Sequence, residues 1–206
     1  KSDMKNDIIC WWSGGVTSAV ACKIAIDLYG IDRCRIIMID TFNEHEDTYR
    51  FKIDCEKLYG KKIERITGIH PDSWNENDKL ECTYIALNHK YLNIKDIWIK
   101  NKSLNVATGA ICSTILKREV RQKWQKENDY TFQVFGFDFG AREFNRAYAM
   151  KKNHGITNPI FPLLLYGYDK KDCIDIIEAA GIDIPIMYKY GFKNNNCFNT
   201  GCVQGG

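Results

Sequence analysis

The sequence predicts an α/β fold, a mainly parallel sheet with helices on both faces. Short apolar runs of strand length alternate with longer stretches of helical spacing. Glycines stand where those longer stretches end, as helix stops do. Near the start, the turn Ser13-Gly14-Gly15 joins an apolar run directly to an amphipathic stretch.

The elements follow in order. Ile8 to Trp12 reads as a short buried strand. Val20, Ala21, Ile24, Ala25 and Leu28 form a helical stripe that Gly30 is placed to end. Arg35 to Asp40 holds Ile36-Ile37-Met38-Ile39, a second buried strand, and Phe51, Cys55 and Leu58 mark a helix ending near Gly60. Ile63 to Thr67 is a weaker third strand, and Trp74 to Leu92 reads as helical with breaks. Lys117 to Lys126 is a clearer helix, because Leu116, Val120 and Trp124 are spaced by four. Tyr130 to Phe137 is a strand rich in aromatic and β-branched residues. Asp169 caps a helix whose inward face is Cys173, Ile176, Ile177 and Ala180, and Gly181 stops it. After Ile186 the periodicity disappears. The expected organisation is one domain over 1–187, with 188–206 as a cysteine-bearing C-terminal extension of the same domain.

Composition narrows the function classes. The chain has 206 residues, of which 45% are hydrophobic, enough for a core without staples. No apolar run reaches the ~18 residues of a membrane span. Lys1 to Asp7 is polar and reads as a lead-in, not a signal peptide. The net charge of +3 does not by itself imply nucleic acid. Nine cysteines, an odd number scattered through the chain, argue for a reducing compartment and a cytoplasmic location.

The loop Ser13 to Ser18 follows a strand and opens a helix. Two glycines allow a sharp turn, and free amides at a helix start attract phosphate. Ser13, Thr17 and Ser18 add hydroxyls. No Gly-Lys-Ser/Thr ending follows, which excludes a Walker A loop. Taken alone, a glycine turn with a helix cap explains the loop as well as a phosphate site does.

The order strand, Ser-Gly-Gly-x-x-Ser, helix resembles the pyrophosphate loop of the adenine nucleotide α-hydrolase (PP-loop) superfamily, which includes the ATP pyrophosphatases and the sulfonucleotide reductases. Asp40-Thr41-Phe42-Asn43-Glu44-His45-Glu46-Asp47-Thr48 resembles the segment after the second strand in the phosphoadenosine-phosphosulfate (PAPS) reductase-like family. Gly136, Arg142, Glu143 and Arg146 resemble that family's constellation after the fourth strand. Pro162-Leu163-Leu164, Tyr168 to Asp172, Ile184-Pro185 and Tyr188 to Gly191 continue the same order. The resemblance runs from about Ile8 to Cys202. Thr17 stands where the family usually has Asp.

The resemblance implies an adenine nucleotide, ATP or a relative, held by Ser13, Gly14, Gly15, Thr17 and Ser18, with Asp40 and Thr41 beneath base and ribose. Arg142 and Arg146, four apart, suit phosphate or sulfate oxygens; a solvated charged face is the alternative, and it is preferred for Lys151 and Lys152. Lys117, Arg118, Arg121 and Lys123 form a further basic stretch, either a polyanion surface or an ordinary exposed helix face.

Among the cysteines, Cys22, Cys55 and Cys173 fall on apolar helix faces and read as core. Cys10, Cys34 and Cys82 offer no constellation. Cys112 opens a helix start similar to the one that supplies cluster ligands in iron–sulfur members of the family, and Cys197 and Cys202 lie in a glycine- and asparagine-rich loop. The three are expected to converge as metal ligands or a redox site, with Cys202 and Cys112 as candidate catalytic thiols. Zinc, or a free thiol with a reducible pair, remains open beside an iron–sulfur cluster. Ile111 precedes Cys112 where the reductases carry adjacent cysteines, and their terminal Glu-Cys-Gly setting is missing. The preferred expectation is therefore an enzyme that activates an acceptor with ATP and transfers sulfur to it. Its cofactor candidates are the nucleotide, an iron–sulfur cluster and Mg. Its partner candidates are a nucleic-acid acceptor or a thiol reductant, and no membrane. Sulfonucleotide reduction and a non-catalytic nucleotide-binding module are the alternatives.

Overall fold

The computed structural model describes residues 4–106, 109–197 and Cys202. Its centre is a six-stranded parallel sheet of β1 (Ile8–Trp11), β2 (Cys34–Ile39), β3 (Ile63–Thr67), β4 (Cys82–Tyr84), β7 (Phe132–Val134) and β8 (Pro159–Ile160). The spatial order is β4-β3-β2-β1-β7-β8. β5 (Asn105–Val106) and β6 (Gly109–Ala110) pair antiparallel apart from it. The four residues of β1 are all buried, as expected of a strand covered on both faces.

Two helical layers cover the sheet. On one face, Ile8, Cys10, Trp12, Ile36 and Met38 pack with α1 (Val16–Tyr29), α2 (Glu46–Tyr59) and α9 (Lys170–Ala179). On the other, Ile9, Trp11, Ile37 and Phe135 pack with Val120 and Trp124 of α6 (Val120–Glu127). The alternation of Ile8 and Ile9 between the faces is the period of two along a strand. Trp11 meets Trp124 edge-on at 5.4 Å, and its indole N–H donates to Gln133 Oε1 at 2.6 Å. α9 opens with the expected cap, a reciprocal box between Asp169 and Asp172. Cys22, Cys55 and Cys173 are core residues, and burial pushes the Cys55 and Cys173 thiols up to about 12.

A third cluster lies beyond the carboxyl end of β3. Ile69, Tyr91, Ile94 and Ile97 of α4 (Ile94–Asn101) pack on Cys112, Ile115 and Leu116. These last three come from α5 (Ile111–Ser113) and the π-helical stretch Thr114–Glu119 that runs into α6. The expected broken helix over 74–92 resolves into α3 (Glu76–Glu81) followed by strand β4. α7 (Ala141–Asn153) and α8 (Pro162–Tyr166) flank β8. The boundary expected at 187/188 runs through a short helix, α10 (Ile186–Lys189), and residues 198–201 and 203–206 of the tail lie outside the described residues.

Asp7 ties the start of β1 to the turn before β2 through two bonds to Arg33, at 2.9 and 2.6 Å. The Arg33 guanidinium holds the Asp7 carboxyl down at about 2. A depressed carboxyl contributes stability above its unfolded value near 4 and loses it as pH falls through about 2. Asp7→Asn is therefore expected to cost about 1–2 kcal/mol in a urea melt at pH 7 and almost nothing at pH 2.

Candidate functional site

The sheet order reverses at β1, which has β2 on one side and β7 on the other. In open α/β sheets, ligands settle beyond the carboxyl ends of strands at such a switch point. The loop Ser13–Ser18 occupies that position. Gly14 has φ +88, a backbone state that only glycine adopts freely. The Ser18 hydroxyl organises the turn: it donates to Gly15 O and accepts from Ser13 N–H and Ser13 Oγ, each at 3.0 Å. Ser18 is thus a brace of the loop, while Thr17 is half-buried. The first turn of α1 holds no acidic side chain to satisfy its dipole. Its amides have no acceptors within the helix, and Val16 N–H donates to Tyr188 Oη at 3.1 Å.

Gly136, just past β7, completes the floor. A Cβ there would lie 2.5 Å from Ser18 Cα and 2.6 Å from Ser18 N. Backbone meets backbone at this point, which is the physical reason for a glycine after the strand.

Asp40 is fully buried, and its oxygens are engaged. Oδ2 accepts from Arg65 Nε and Nη2 at 2.9 and 2.7 Å, Oδ1 accepts from Phe42 N–H at 2.8 Å, and Tyr49 Oη lies 3.0 Å from both oxygens. In the structure Asp40 is a buried counter-ion of Arg65 that shapes the turn. Phe42 within this turn has φ +56, an uncommon state for a large side chain. Arg65 carried no signal in the sequence, since its partner stands 25 positions away. Thr41 Oγ1 donates to Glu44 Oε1 at 3.2 Å, so Thr41 also serves the turn.

Glu44 and Lys117 bring the rest together. Glu44 is buried, which pushes its carboxyl up, while the Lys117 ammonium pulls it down. Burial works against the charge on Lys117, but Glu44 and the sulfurs of Cys197, Cys202 and Cys112 outweigh it, and the ammonium is held more firmly protonated than usual. The charge on Lys117 is thus favoured by the three cysteines singled out in the sequence as well as by Glu44. Burial pushes the Cys197 thiol up; Lys117 and the Asn43 amide oppose that and favour the thiolate. All three sulfurs are free thiols, so Cys197 and Cys202 are not joined as a disulfide. Among the described residues, no group of three or more His, Cys, Asp or Glu is placed to hold a metal ion. The described residues thus give no support to an iron–sulfur cluster or Mg.

The tail links thiols and loop. Asn195 Nδ2 donates to Gly14 O at 2.7 Å and to Thr48 Oγ1 at 3.0 Å, two residues before Cys197. Arg146 lies further out, bonded to both oxygens of Glu143 at 2.8 Å and 4.6 Å above the Phe137 ring. Arg142 is exposed on the same helix. The structure does not bring either arginine against the loop by any hydrogen bond.

Sheet order, switch-point loop and covering helices define an α/β fold of the PAPS reductase-like kind. It is similar to the solved structure of a phosphoadenylyl-sulfate (PAPS) reductase from Candida auris in a phosphate complex. The TM-score is 0.55 at 15% identity, over 93% of this chain and 81% of that one. No family model and no curated protein matches the chain. The likeness is one of fold. No described helix is long and apolar enough to cross a membrane.

Proposed function

We propose that this chain is an adenine-nucleotide-dependent enzyme that activates an acceptor and transfers sulfur to it. The observation that carries the reading is the hydrogen bond from Asn195, two residues before Cys197, to Gly14 O of the loop, which supports a thiol chemistry beside the phosphate site; Lys117 favours the Cys197 thiolate. The nucleotide phosphates lie on the amides of the Ser13–Ser18 loop, whose dipole stabilises negative charge developing on them. An acceptor oxygen attacks the α-phosphorus and pyrophosphate leaves. An external persulfide donor first passes its outer sulfur to one cysteine thiolate and leaves as a thiol; the terminal sulfur of the resulting protein persulfide then displaces AMP from the acceptor carbon. A second thiolate attacks the remaining sulfur bridge, and an external thiol reduces the resulting disulfide. Lys117 favours the thiolate state that these steps require. Arg142 and Arg146 are the candidates for guiding anionic substrate groups inward. An iron–sulfur cluster finds no support in the donor set, so protein thiols carry the sulfur.

A second reading, reduction of an adenylylated sulfate with Cys202 as nucleophile, is favoured by the fold likeness. A non-catalytic nucleotide module is the third, favoured by Thr17 in the place of a carboxylate. Calorimetric titration of wild type and Gly14→Val with ATP and with adenosine 5′-phosphosulfate, followed by assays for pyrophosphate and sulfite, separates them. The expected result is ATP binding in the wild type that Gly14→Val loses while its circular dichroism is unchanged. Sulfite release with a thiol reductant would establish the second reading, and binding without turnover the third. Absence of any nucleotide binding in the wild type would overturn all three.

A further inference from the structure

The basic stretch Lys117 to Lys123 divides in the structure. Lys117 turns to the thiols, and Lys123 donates to Ala86 O. Arg121 does something else. Its guanidinium lies 5.1 Å above the Phe135 ring, and its Nη1 is buried with no hydrogen-bond partner. A guanidinium drawn out of water normally has an acid beside it, because an uncompensated charge there is costly. Here burial pushes the Arg121 pKa down and Arg118 pushes it further, while the Tyr130 hydroxyl alone acts in its favour. No carboxylate figures among these influences.

Arg121 also lines a cavity of ≈ 260 Å³ between α6 and the 154–157 segment. Lys126 and His154 stand at its rim and Thr157 in its wall. A space of that size holds several waters and accommodates a tetrahedral oxyanion. The walls thus offer forked, cationic and hydroxyl donors, the set that suits a phosphate group.

We infer that this cavity is a second oxyanion site, distinct from the Ser13–Ser18 loop, in which Arg121 binds a phosphate group with Lys126 and His154 at the rim. The phosphate belongs either to a polynucleotide backbone or to a small phosphorylated metabolite. The inference stands on Arg121, which lines this cavity and makes no ion pair among the described residues, and does not depend on the sulfur-transfer reading.

The test is fluorescence anisotropy of the full chain with a fluorescein-labelled RNA hairpin, alongside thermal-shift titration with inorganic phosphate. Arg121→Gln removes the charge and leaves a polar side chain; Lys126→Ala/His154→Ala alters only the exposed rim and guards against misfolding of the first variant. Each is expected to weaken phosphate-dependent binding at least about tenfold, the loss of one charge-assisted contact. ATP affinity, measured by calorimetry in the same variants, should stay at the wild-type value. RNA binding that falls steeply with salt and is lost in Arg121→Gln assigns the site to a polynucleotide backbone. A phosphate-induced shift lost in Arg121→Gln without RNA binding assigns it to a small metabolite. Wild-type affinity for both probes in both variants, or no binding of either probe to the wild type, overturns the inference.

Discussion

Gly136→Ala is expected to lose about 1–3 kcal/mol of stability and, with it, nucleotide affinity. The added methyl would sit 2.5 Å from Ser18 Cα, 2.6 Å from Ser18 N and 2.9 Å from Thr17 C. All three are backbone atoms, so no side-chain rotation relieves the clash. Either the end of β7 or the start of α1 must move. The register Ile8↔Phe132 to Cys10↔Val134 resists the first, and the Ser18 brace resists the second. The compromise displaces the amides at the start of α1, where the proposed nucleotide phosphates would lie. Gly140→Ala is the control, since its Cβ would meet only Asp138 Oδ1 at 3.4 Å. Urea melts and calorimetric titration with ATP read both effects. A Gly136→Ala protein that melts and binds like Gly140→Ala would show that the close approach has no consequence.

Lys117→Met is expected to cost still more, about 3–5 kcal/mol at neutral pH, because it takes the cation away from a buried carboxylate. The pH dependence follows from Glu44, whose carboxyl is already raised by burial. Without Lys117 it rises further. Below the unfolded carboxylate value, about 4.3, both states are protonated and the penalty is absent. It grows as pH climbs from there toward the raised folded value and is complete above it. Unfolding at pH 4 and pH 7 should therefore give a small deficit and a large one. Equal deficits would mean that Lys117 contributes packing alone. The variant should also react more slowly with iodoacetamide at Cys197, since the ammonium no longer favours that thiolate.

The inner strands were legible because a strand buried on both faces is written as a short unbroken apolar run, as in Ile36 to Ile39. The turn at Ser13 to Ser18 was legible for a local reason too: a glycine pair between an apolar run and an amphipathic stretch marks a tight turn into a helix. Strand β4 was not, because Cys82-Thr83-Tyr84 is a three-residue edge strand with no buried residue. Helix α4 had a signal that went unread, Asn93 capping Ile94 and Ile97 at helical spacing. The partnership of Asp40 with Arg65 joins two strands and leaves no local pattern. Lys117 and Arg121 read as part of an exposed charged face, yet each follows a core residue, Leu116 or Val120, by one position. That places them at the border of the apolar stripe, where a long basic side chain can turn inward.

The hydrogen bond from Val16 to Tyr188 spans 172 positions, and the one from Asn195 to Gly14 spans 181. Even the first sheet neighbour of β1 on the β7 side is reached only at Phe132. Closing loops of this length costs chain entropy before any contact repays it. On a ribosome, the loop at Ser13 emerges early and waits for its lid until almost two hundred residues have followed. The amides of that loop are thus the first part of the site to be made and the last to be finished. A chain stopped before Tyr188 carries the loop and Cys112 but lacks Asn195 and Cys197, and folding to the last contact is what closes the loop against the tail.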